Sequence, residues 1–356
     1  MRKLRLVLVA FATMAAMVYA GSAAAPATAH SAASEHQRII DFWTPARVAQ
    51  AVPRDFVFNP GTQRFEIAQP TKGKPGGGGG GGHGGGGNGG GGNGDTIGSS
   101  WNKGGDVAKT TGKVLFAMGG SYYVCSASVV TDDASGRSLV LTAGHCVYDE
   151  TNRAFATNWM FIPDYDAAPA RLTSSGSFCA DTAYGCWTAE YLTVDAGFAN
   201  AGGFNTQATL NDVGFAVLGT GGSNNDLVES EVGTQGISFS EGALGYTAWL
   251  FGYPAAQKYK GTDLIYCRGP LGTDPLNSNL TYRVDCNMTG GSSGGPWFQP
   301  FTEASGSGTL MSVNSYGYSG VTAMHGPMFG SWTKSVFDAA EGASGNTIVG
   351  VTVTAP

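Results

Sequence analysis

The sequence predicts an all-β protein built from two six-stranded antiparallel β-barrels in series, with one helix near the C-terminus. Two observations carry this prediction. Only 13% of the residues are charged while 57 of the 356 are glycine, a composition typical of a loop-rich β-protein outside the cell. Short apolar runs separated by turn residues also recur without the strand and helix alternation of a parallel sheet. The region from residue 95 to residue 356 is long enough for both barrels.

The predicted elements follow one another in this C-terminal region. The helix is predicted over Ser331–Glu341, because Trp332, Val336 and Phe337 fall at helical spacing and Gly342 can end the helix. The strands are predicted at residues 113–118, 122–131, 139–142, 212–218, 248–252, 264–267, 282–286, 310–313 and 347–353.

The first 29 residues have the three parts of a secretory signal peptide. Basic residues stand at positions 2, 3 and 5, an apolar stretch covers residues 6–20, and small residues follow it. Cleavage is predicted after Ala29, with Ala20 as the alternative. A retained membrane helix is the weaker interpretation, because the apolar stretch is shorter than the roughly 20 residues that a span needs. We therefore predict a secreted, extracellular protein.

Two further segments separate the signal peptide from the C-terminal region. Residues 30–75 contain no cysteine and mix apolar residues with prolines, whereas residues 76–94 contain only glycine, asparagine and one histidine. Such a tract cannot bury apolar surface to offset its conformational entropy, so we predict a flexible linker. Residues 30–75 are then either a propeptide that is cut off or a permanent extension.

The charge of the C-terminal region excludes two classes of partner. Residues 95–356 contain 11 Lys or Arg and 22 Asp or Glu, a formal charge of −11. A surface of that sign repels the phosphates of nucleic acids and of anionic lipids. We predict neither a nucleic acid nor a membrane as a partner once the signal peptide is removed.

All six cysteines lie in the C-terminal region, which fits an oxidising compartment and three disulfides. Sequence alone does not fix which cysteines pair. No Cys-x-x-Cys pair is present to indicate a zinc site, so we predict no metal and no cofactor. Spacing favours the pairs Cys125–Cys146, Cys179–Cys186 and Cys267–Cys286.

Two short segments carry residue types that nucleophilic acyl transfer requires. Residues 290–296 read GGSSGGP and place Ser293 in a glycine-rich turn that permits close approach of a substrate. Residues 141–146 read LTAGHC and place His145 at the end of an apolar run, where it is the best candidate for the base. His325 is the one other histidine of the C-terminal region, and we predict a structural or surface position for it.

The acid that would orient His145 has two candidates. Asp212 precedes an apolar run that continues as a strand, and Asp195 has a similar local sequence but is followed by a run that breaks into a loop at residues 199–202. We favour Asp212, whose role would be to fix the imidazole tautomer.

These segments resemble the chymotrypsin-fold serine peptidases, whose triad runs His, Asp, Ser along the chain. GGSSGGP is similar to the family pattern G-x-S-G-G-P. LTAGHC is similar to T-A-A-H-C, with Gly144 in place of the second alanine. Residues 211–218, NDVGFAVL, are similar to the family's D-[IV]-A-L segment. The resemblance covers about residues 106–320, and it is nearest to the bacterial secreted V8-like glutamyl endopeptidases, because Ser292 stands where trypsin and chymotrypsin have an aspartate.

The resemblance implies a fold, an activity and roles for residues. It implies a serine endopeptidase acting on proteins or peptides through an acyl-enzyme, with the triad His145, Asp212 and Ser293. We separately predict a monomer. The backbone amides of Gly291 and Ser293 would form the oxyanion hole, and Cys146 would tie the histidine loop to Cys125.

The resemblance also implies which residues form the primary substrate pocket. No aspartate stands six residues before Ser293, which argues against selection for Lys or Arg. The histidine that glutamyl enzymes carry near the position of Asn314 is missing, so both Glu and a polar or apolar side chain remain open. The predicted pocket residues are Asn287, Met288, Thr289 and Gly290 on one side and Asn314, Ser315, Tyr316 and Gly317 on the other.

Two other functions compete with the peptidase. The first is a catalytically inactive peptidase-like domain that binds extracellular partners, because a fold can persist without its activity. The second is a structural cell-surface protein tethered through the glycine tract, for which the sequence contains no sorting signal at residues 351–356.

Overall fold

A computed structural model describes residues 32–68, 96–167, 178–256 and 259–350. The predicted signal peptide, the glycine tract over residues 76–94 and the end of the last predicted strand lie outside these described residues. Within them, no helix has both the length and the apolar character needed to cross a membrane.

Residues 32–68, here called the N-terminal segment, form two helices and three short strands. Thr44 begins the second helix by accepting a hydrogen bond from the amide of Arg47, and Pro45 follows in the first turn, where a missing N–H is not needed. The elements are α1 Ala32–Phe42, α2 Pro45–Gln50, β1 Val52–Pro53, β2 Phe56–Asn59 and β3 Arg64–Ile67.

The next part of the chain forms a closed barrel of six antiparallel strands in the order β5, β10, β11, β12, β7 and β6. Phe161, Trp187 and Phe215 are among its fully buried side chains. The elements are β4 Ser99–Ser100, α3 Asp106–Thr110, β5 Thr111–Met118, β6 Ser121–Val130, β7 Ser138–Thr142, β8 Tyr148–Asp149, β9 Ala154–Phe155, β10 Thr157–Pro163, α4 Phe178–Asp181, β11 Trp187–Asp195, α5 Ala196–Ala199, α6 Thr206–Leu210 and β12 Gly214–Leu218.

Most of the remaining strands surround a second core that includes Leu250, Tyr282 and Trp297, whereas the last helix and the last strand of the chain pack against the first barrel. In one sheet β15, β14, β18 and β19 are neighbours, and in another β17, β21 and β20 are. Strand β15 lies against β17 and β19 against β21, which brings the two sheets together around this core. The elements are α7 Val228–Val232, β13 Gly236–Ile237, β14 Thr247–Gly252, β15 Ile265–Pro270, β16 Gly272–Thr273, β17 Thr281–Val284, β18 Pro296–Thr302, β19 Ser307–Val313, β20 Tyr316–Tyr318, β21 Met324–Pro327, α8 Ser331–Glu341 and β22 Thr347–Val349.

The predicted all-β fold of two barrels is confirmed, and helix α8 has its predicted bounds. The second barrel differs from the first in one respect. In the described part of the chain its strands are divided between two sheets, whereas the hydrogen-bonded ladder of the first barrel is closed. Strands β17 and β21 contain only four residues each, so they offer few backbone groups with which to continue a ladder.

The N-terminal segment packs against both barrels. Strand β1 pairs in parallel with β6 of the first barrel, and β2 pairs in parallel with β20 of the second. Helix α1 contacts β10 and β11, where Ile39 is buried. Trp43 is buried as well, and its indole N–H donates to the carbonyl of Asn158 at 2.7 Å. Apolar side chains and backbone pairing therefore hold this segment across the junction of the barrels.

The structure contains the three predicted disulfides, Cys125–Cys146, Cys179–Cys186 and Cys267–Cys286. The first joins β6 to the short 3₁₀ turn Gly144–Cys146, which carries His145. Cys125, Cys146 and His145 lie close enough together to suggest a metal site. Because both sulfurs are consumed in a disulfide, they are not available as thiolate ligands.

Candidate active site

His145 lies at the end of β7, on the 3₁₀ turn, and is completely buried. The indole N–H of Trp159 donates to the carbonyl of Cys146 at 3.1 Å and fixes the backbone beside it. Two aromatic rings that stack on each other contact the imidazole edge-on, with Phe56 at 5.5 Å and Phe204 at 5.8 Å between centroids. The disulfide of Cys146 and these contacts leave the ring little freedom to turn.

Asp212 meets His145 through both carboxylate oxygens. Its Oδ2 lies 2.7 Å from His145 Nδ1, and its Oδ1 accepts the backbone N–H of His145 at 2.8 Å. The hydroxyl of Ser315 donates to Oδ2 as well. A buried carboxylate with this many donors is held in one orientation, and it favours the tautomer with the proton on Nδ1.

The same contacts explain why glycine replaces alanine at position 144. A Cβ atom built on Gly144 would lie 3.1 Å from Asp212 Oδ1 and 3.2 Å from the ring of Phe198. The side chain of Phe198 thus occupies the space that a methyl group would need.

Ser293 lies in the turn between residues 290 and 295. Gly291 and Gly294 have φ angles of +98° and +79°, which residues other than glycine rarely adopt. A Cβ atom on Gly294 would also lie 2.1 Å from Thr142 Oγ1, so the turn approaches β7 closely. The amide of Ser126 in β6 donates to the carbonyl of Ser293 at 2.7 Å. The first barrel therefore fixes the backbone position of a serine that the second barrel carries.

The Ser293 hydroxyl does not donate to His145 in this structure. It donates to Asp55 of the N-terminal segment, with 2.6 Å between Ser293 Oγ and Asp55 Oδ1. The other carboxylate oxygen, Asp55 Oδ2, accepts the backbone N–H of Gly291 at 2.9 Å. His145 Nε2 is buried and has no hydrogen-bond partner among the described residues.

Asp55 is the functional candidate that the sequence analysis missed. It stands in a stretch with no catalytic motif, and its two partners are more than 230 residues away, at sequence separations of 236 and 238. Burial raises the pKa of its carboxyl group, while the Ser293 hydroxyl, the nearby imidazole of His145 and the Gly291 amide act in the opposite direction.

A cavity of about 420 Å³ adjoins Ser293. Seven of the eight predicted pocket residues line it, together with Ser293 and residues of the N-terminal segment, Asp55 and Phe56 among them. The seven are Asn287, Met288, Thr289, Gly290, Ser315, Tyr316 and Gly317.

Asn314 is the exception, and its predicted place in the pocket is corrected. Its side chain is fully buried and saturated by the protein: Oδ1 accepts from the indole of Trp297 at 2.7 Å, and Nδ2 donates to the carbonyls of Phe251 and Ser292. Because the polar atoms of this side chain are all hydrogen-bonded within the protein, the side chain stabilises the turn that contains Ser293 and does not face a ligand.

His325 is structural, and it does not lie at the surface. Its ring is buried, stacks on Tyr316 with 5.0 Å between centroids and lies 3.9 Å from Asp274. Burial lowers the pKa of His325 to about 4. Asp274 also accepts hydrogen bonds from the hydroxyls of Tyr316 and Tyr318, so this cluster stabilises strand β20, which carries both tyrosines.

Asp195, the alternative acid, caps a short helix. Its Oδ1 accepts the amide of Gly197 at 2.7 Å at the start of α5, and among the described residues it makes no hydrogen bond with His145. The geometry therefore brings Asp212 to the imidazole and leaves Asp195 elsewhere.

The pKa of Asp195 gives a testable pH dependence. Burial raises the pKa to about 7 from 3.8, so the folded protein holds this proton more tightly than the unfolded chain does. Above pH 7 the folded protein therefore bears the full free-energy cost of burying the charged Asp195 carboxylate. This cost falls as the pH is lowered towards 4, because the buried group then becomes protonated. We expect Asp195→Asn to raise the unfolding temperature at pH 8 by on the order of a few degrees, and the gain to shrink at pH 5. Thermal unfolding at both pH values measures this, and a gain equal at both would contradict it.

Solved structures are similar to the chain over about two thirds of its length. The protease Anisep from Arthrobacter nicotinovorans has 38% sequence identity, a TM-score of 0.55, and coverage of 66% of this chain and 96% of its own. A thermostable serine protease, AL20, from an extremophilic microorganism has 36% identity, a TM-score of 0.56, and coverage of 67% and 100%. No protein-family model matches the chain, and no curated protein does. With its double-barrel fold, the chain belongs to the chymotrypsin-fold serine proteases.

Proposed function

We propose that the protein is a secreted serine endopeptidase that hydrolyses peptide bonds with the triad His145, Asp212 and Ser293. One observation carries the proposal. The hydroxyl of Ser293 and the amide of Gly291 donate to the two oxygens of one carboxylate. A nucleophile and an oxyanion donor must face one carbonyl group in this way, so the arrangement supports acyl transfer at this point.

The proposed reaction begins when the substrate carbonyl takes the place of the Asp55 carboxylate. Asp212 keeps the imidazole proton on Nδ1, so Nε2 is free to accept the proton of Ser293 Oγ. Oγ then bonds to the carbonyl carbon, and the carbonyl π electrons move to the oxygen, which the amide of Gly291 stabilises.

The tetrahedral intermediate collapses to a serine ester, and the leaving amine takes its proton from His145 Nε2. Water, deprotonated by the same nitrogen, then hydrolyses the ester and regenerates Ser293. By resemblance to the family, the amide of Ser293 is the second oxyanion donor.

The primary pocket supports selection of an uncharged side chain. Among the described residues that line the cavity, Asp55 of the N-terminal segment is the only charged one. A substrate Lys, Arg or Glu buried there would lose the favourable free energy of its hydration, and no opposite charge in the pocket would compensate for that loss. We therefore propose a polar uncharged or a medium-sized apolar residue before the cleaved bond.

Secretion is part of the proposal. The N-terminal sequence has the pattern of a signal peptide, and the three disulfides fit an oxidising compartment.

Labelling with a serine-reactive fluorophosphonate tests the proposed activity. The protein is first cut in the glycine tract and freed of the N-terminal segment. We expect one phosphonate group per chain, located on Ser293 by peptide mass spectrometry, and no label in Ser293→Ala. Ser292→Ala is the matched control, because the Ser292 hydroxyl donates to the Thr289 carbonyl in the same turn, and this variant should label like the unmutated protein. Absence of label would favour the inactive binding domain.

A further inference from the structure

We propose that the N-terminal segment is a built-in inhibitor, in which the Asp55 carboxylate occupies the oxyanion hole and holds the nucleophile. It keeps the protease inactive until the chain is cut between residues 69 and 95 and the segment leaves. This inference rests on the proposed function. It identifies residues 32–68 as an inhibitory propeptide and not as a passive extension.

The contacts of Asp55 remove three requirements of catalysis at once. One oxygen accepts the hydrogen bond of the Ser293 hydroxyl, so the nucleophile points towards the segment. His145 Nε2 therefore does not accept the Ser293 proton, as catalysis would require. The second oxygen accepts the Gly291 amide, the group that would stabilise a substrate oxyanion. The charged form of Asp55 thus resembles the oxyanion of the reaction and competes with substrate for the same donors.

The segment contacts Ser293 as an inhibitor would and not as a substrate would. The group in contact with Ser293 Oγ is a side-chain carboxylate, whose carbon is a poor electrophile. Attack of Oγ on that carbon would not cleave a peptide bond of the segment. Residues 56–58 also pair in parallel with residues 316–318, so the backbone of the segment covers the pocket wall formed by Tyr316 and Gly317. Substrate and segment therefore cannot occupy the site together.

Two neighbours of Asp55 anchor it on both sides. The guanidinium of Arg54 is buried, donates to the carbonyl of His145 at 2.7 Å and forms an ion pair with Glu150 at 3.0 Å. Phe56 packs edge-on against the imidazole of His145 and stacks on Phe204 with 3.9 Å between centroids. The sequence Arg54-Asp55-Phe56 is thus matched to the active site by charge, by hydrogen bonds and by aromatic contact.

The linker gives the segment a route of release. Residues 69–95 connect the segment to the protease, and they include seven consecutive glycines at residues 76–82. Hydrolysis of one peptide bond there, with water supplying the new carboxylate and amine, breaks none of the described contacts of residues 32–68. The cut converts a tethered inhibitor with a high effective concentration into a separate peptide that dilution can remove.

The test compares fluorophosphonate labelling rates of Ser293 in the uncut full-length chain, with mass spectrometry showing that the labelled chain is intact. We expect little labelling of the unmutated chain, and labelling about 10- to 100-fold faster in Asp55→Ala, because a hydrogen bond to a charged group is lost at Ser293. Glu66→Ala is the matched control, since Glu66 is an acid of β3 in the same segment whose carboxylate accepts hydrogen bonds from Asn59 and Thr62 of that segment. It should label as slowly as the unmutated chain.

A glycyl-glycine endopeptidase then cuts each protein, and gel filtration removes the segment. All three proteins should now label at one common rate. If the uncut unmutated chain already labels at that rate, the inhibitor proposal is overturned while the proposed activity stands. If the released protein does not label, the proposed function itself fails. Should Asp55→Ala not fold, Asp55→Asn keeps the shape and removes the charge, and it must also label faster than the unmutated chain in the uncut state.

Discussion

Replacing Asp212 with asparagine should lower the turnover of the released protease by about four orders of magnitude while the fold stays intact. In the structure the Asp212 carboxylate accepts from His145 Nδ1 at 2.7 Å. An asparagine amide can instead donate to Nδ1, which places the imidazole proton on Nε2. That nitrogen could then no longer accept the proton of Ser293 Oγ. Steady-state kcat/KM on a peptide substrate measures the loss, and circular dichroism checks the fold.

Asp195→Asn is the matched control for this substitution. Both positions are buried and both receive the same change, but Asp195 caps α5 and has no hydrogen bond with His145 in the described structure. It should retain kcat/KM within about a factor of two to three, which corresponds to well under 1 kcal/mol. A severe loss in Asp195→Asn together with an active Asp212→Asn would contradict the assignment of the acid.

Replacing Arg54 with methionine should destabilise the uncut chain by about 3–5 kcal/mol, because it leaves a buried carboxylate without its partner. Glu150 is the partner: its side chain is 1% exposed, and the ion pair with Arg54 measures 3.0 Å. Asp149 lies 3.8 Å from the same guanidinium and makes the site more acidic. Chemical denaturation of the uncut chain measures the effect.

The double variant Arg54→Met with Glu150→Gln is the control for this prediction. It should be more stable than Arg54→Met alone, because the neutral amide is less costly to bury than the unpaired charge. In the released protease Glu150→Gln should change the free energy of unfolding by less than about 1 kcal/mol, because no Arg54 is present and solvent reaches the site. An equal effect of Glu150→Gln before and after release would show that the ion pair does not connect the segment to the protease.

The sequence predicted the parts of this protein that depend on local patterns. Apolar runs between glycine and polar turns located β5, β6, β7 and β14 within one or two residues. Strand β11 was missed because Trp187–Asp195 mixes polar and apolar residues, and burial on several sides hides the alternation of a half-exposed strand. The histidine and serine segments could be recognised because tight turns with glycine constrain the sequence itself.

The features that the sequence could not reveal depend on contacts between distant residues. Asp55 acquires its significance only from Ser293 and Gly291, and nothing in the residues around it indicates a site. The position of Asn314 before Ser315 predicts a place in the pocket, but hydrogen bonds with Trp297 and with two backbone carbonyls decide the direction of its side chain. Local sequence patterns thus identify the residues that react, whereas tertiary contacts decide whether those residues are free to bind a substrate.

A map of cleavage sites tests the central claim most directly. The chain is cut in the glycine tract, freed of the N-terminal segment and incubated with a denatured peptide library, and Ser293→Ala is treated identically. We predict new peptide termini with the unmutated protein alone, with uncharged residues before the cleaved bonds. Identical maps from both proteins would contradict the account, because cleavage would then not require the serine to which it assigns the nucleophilic attack.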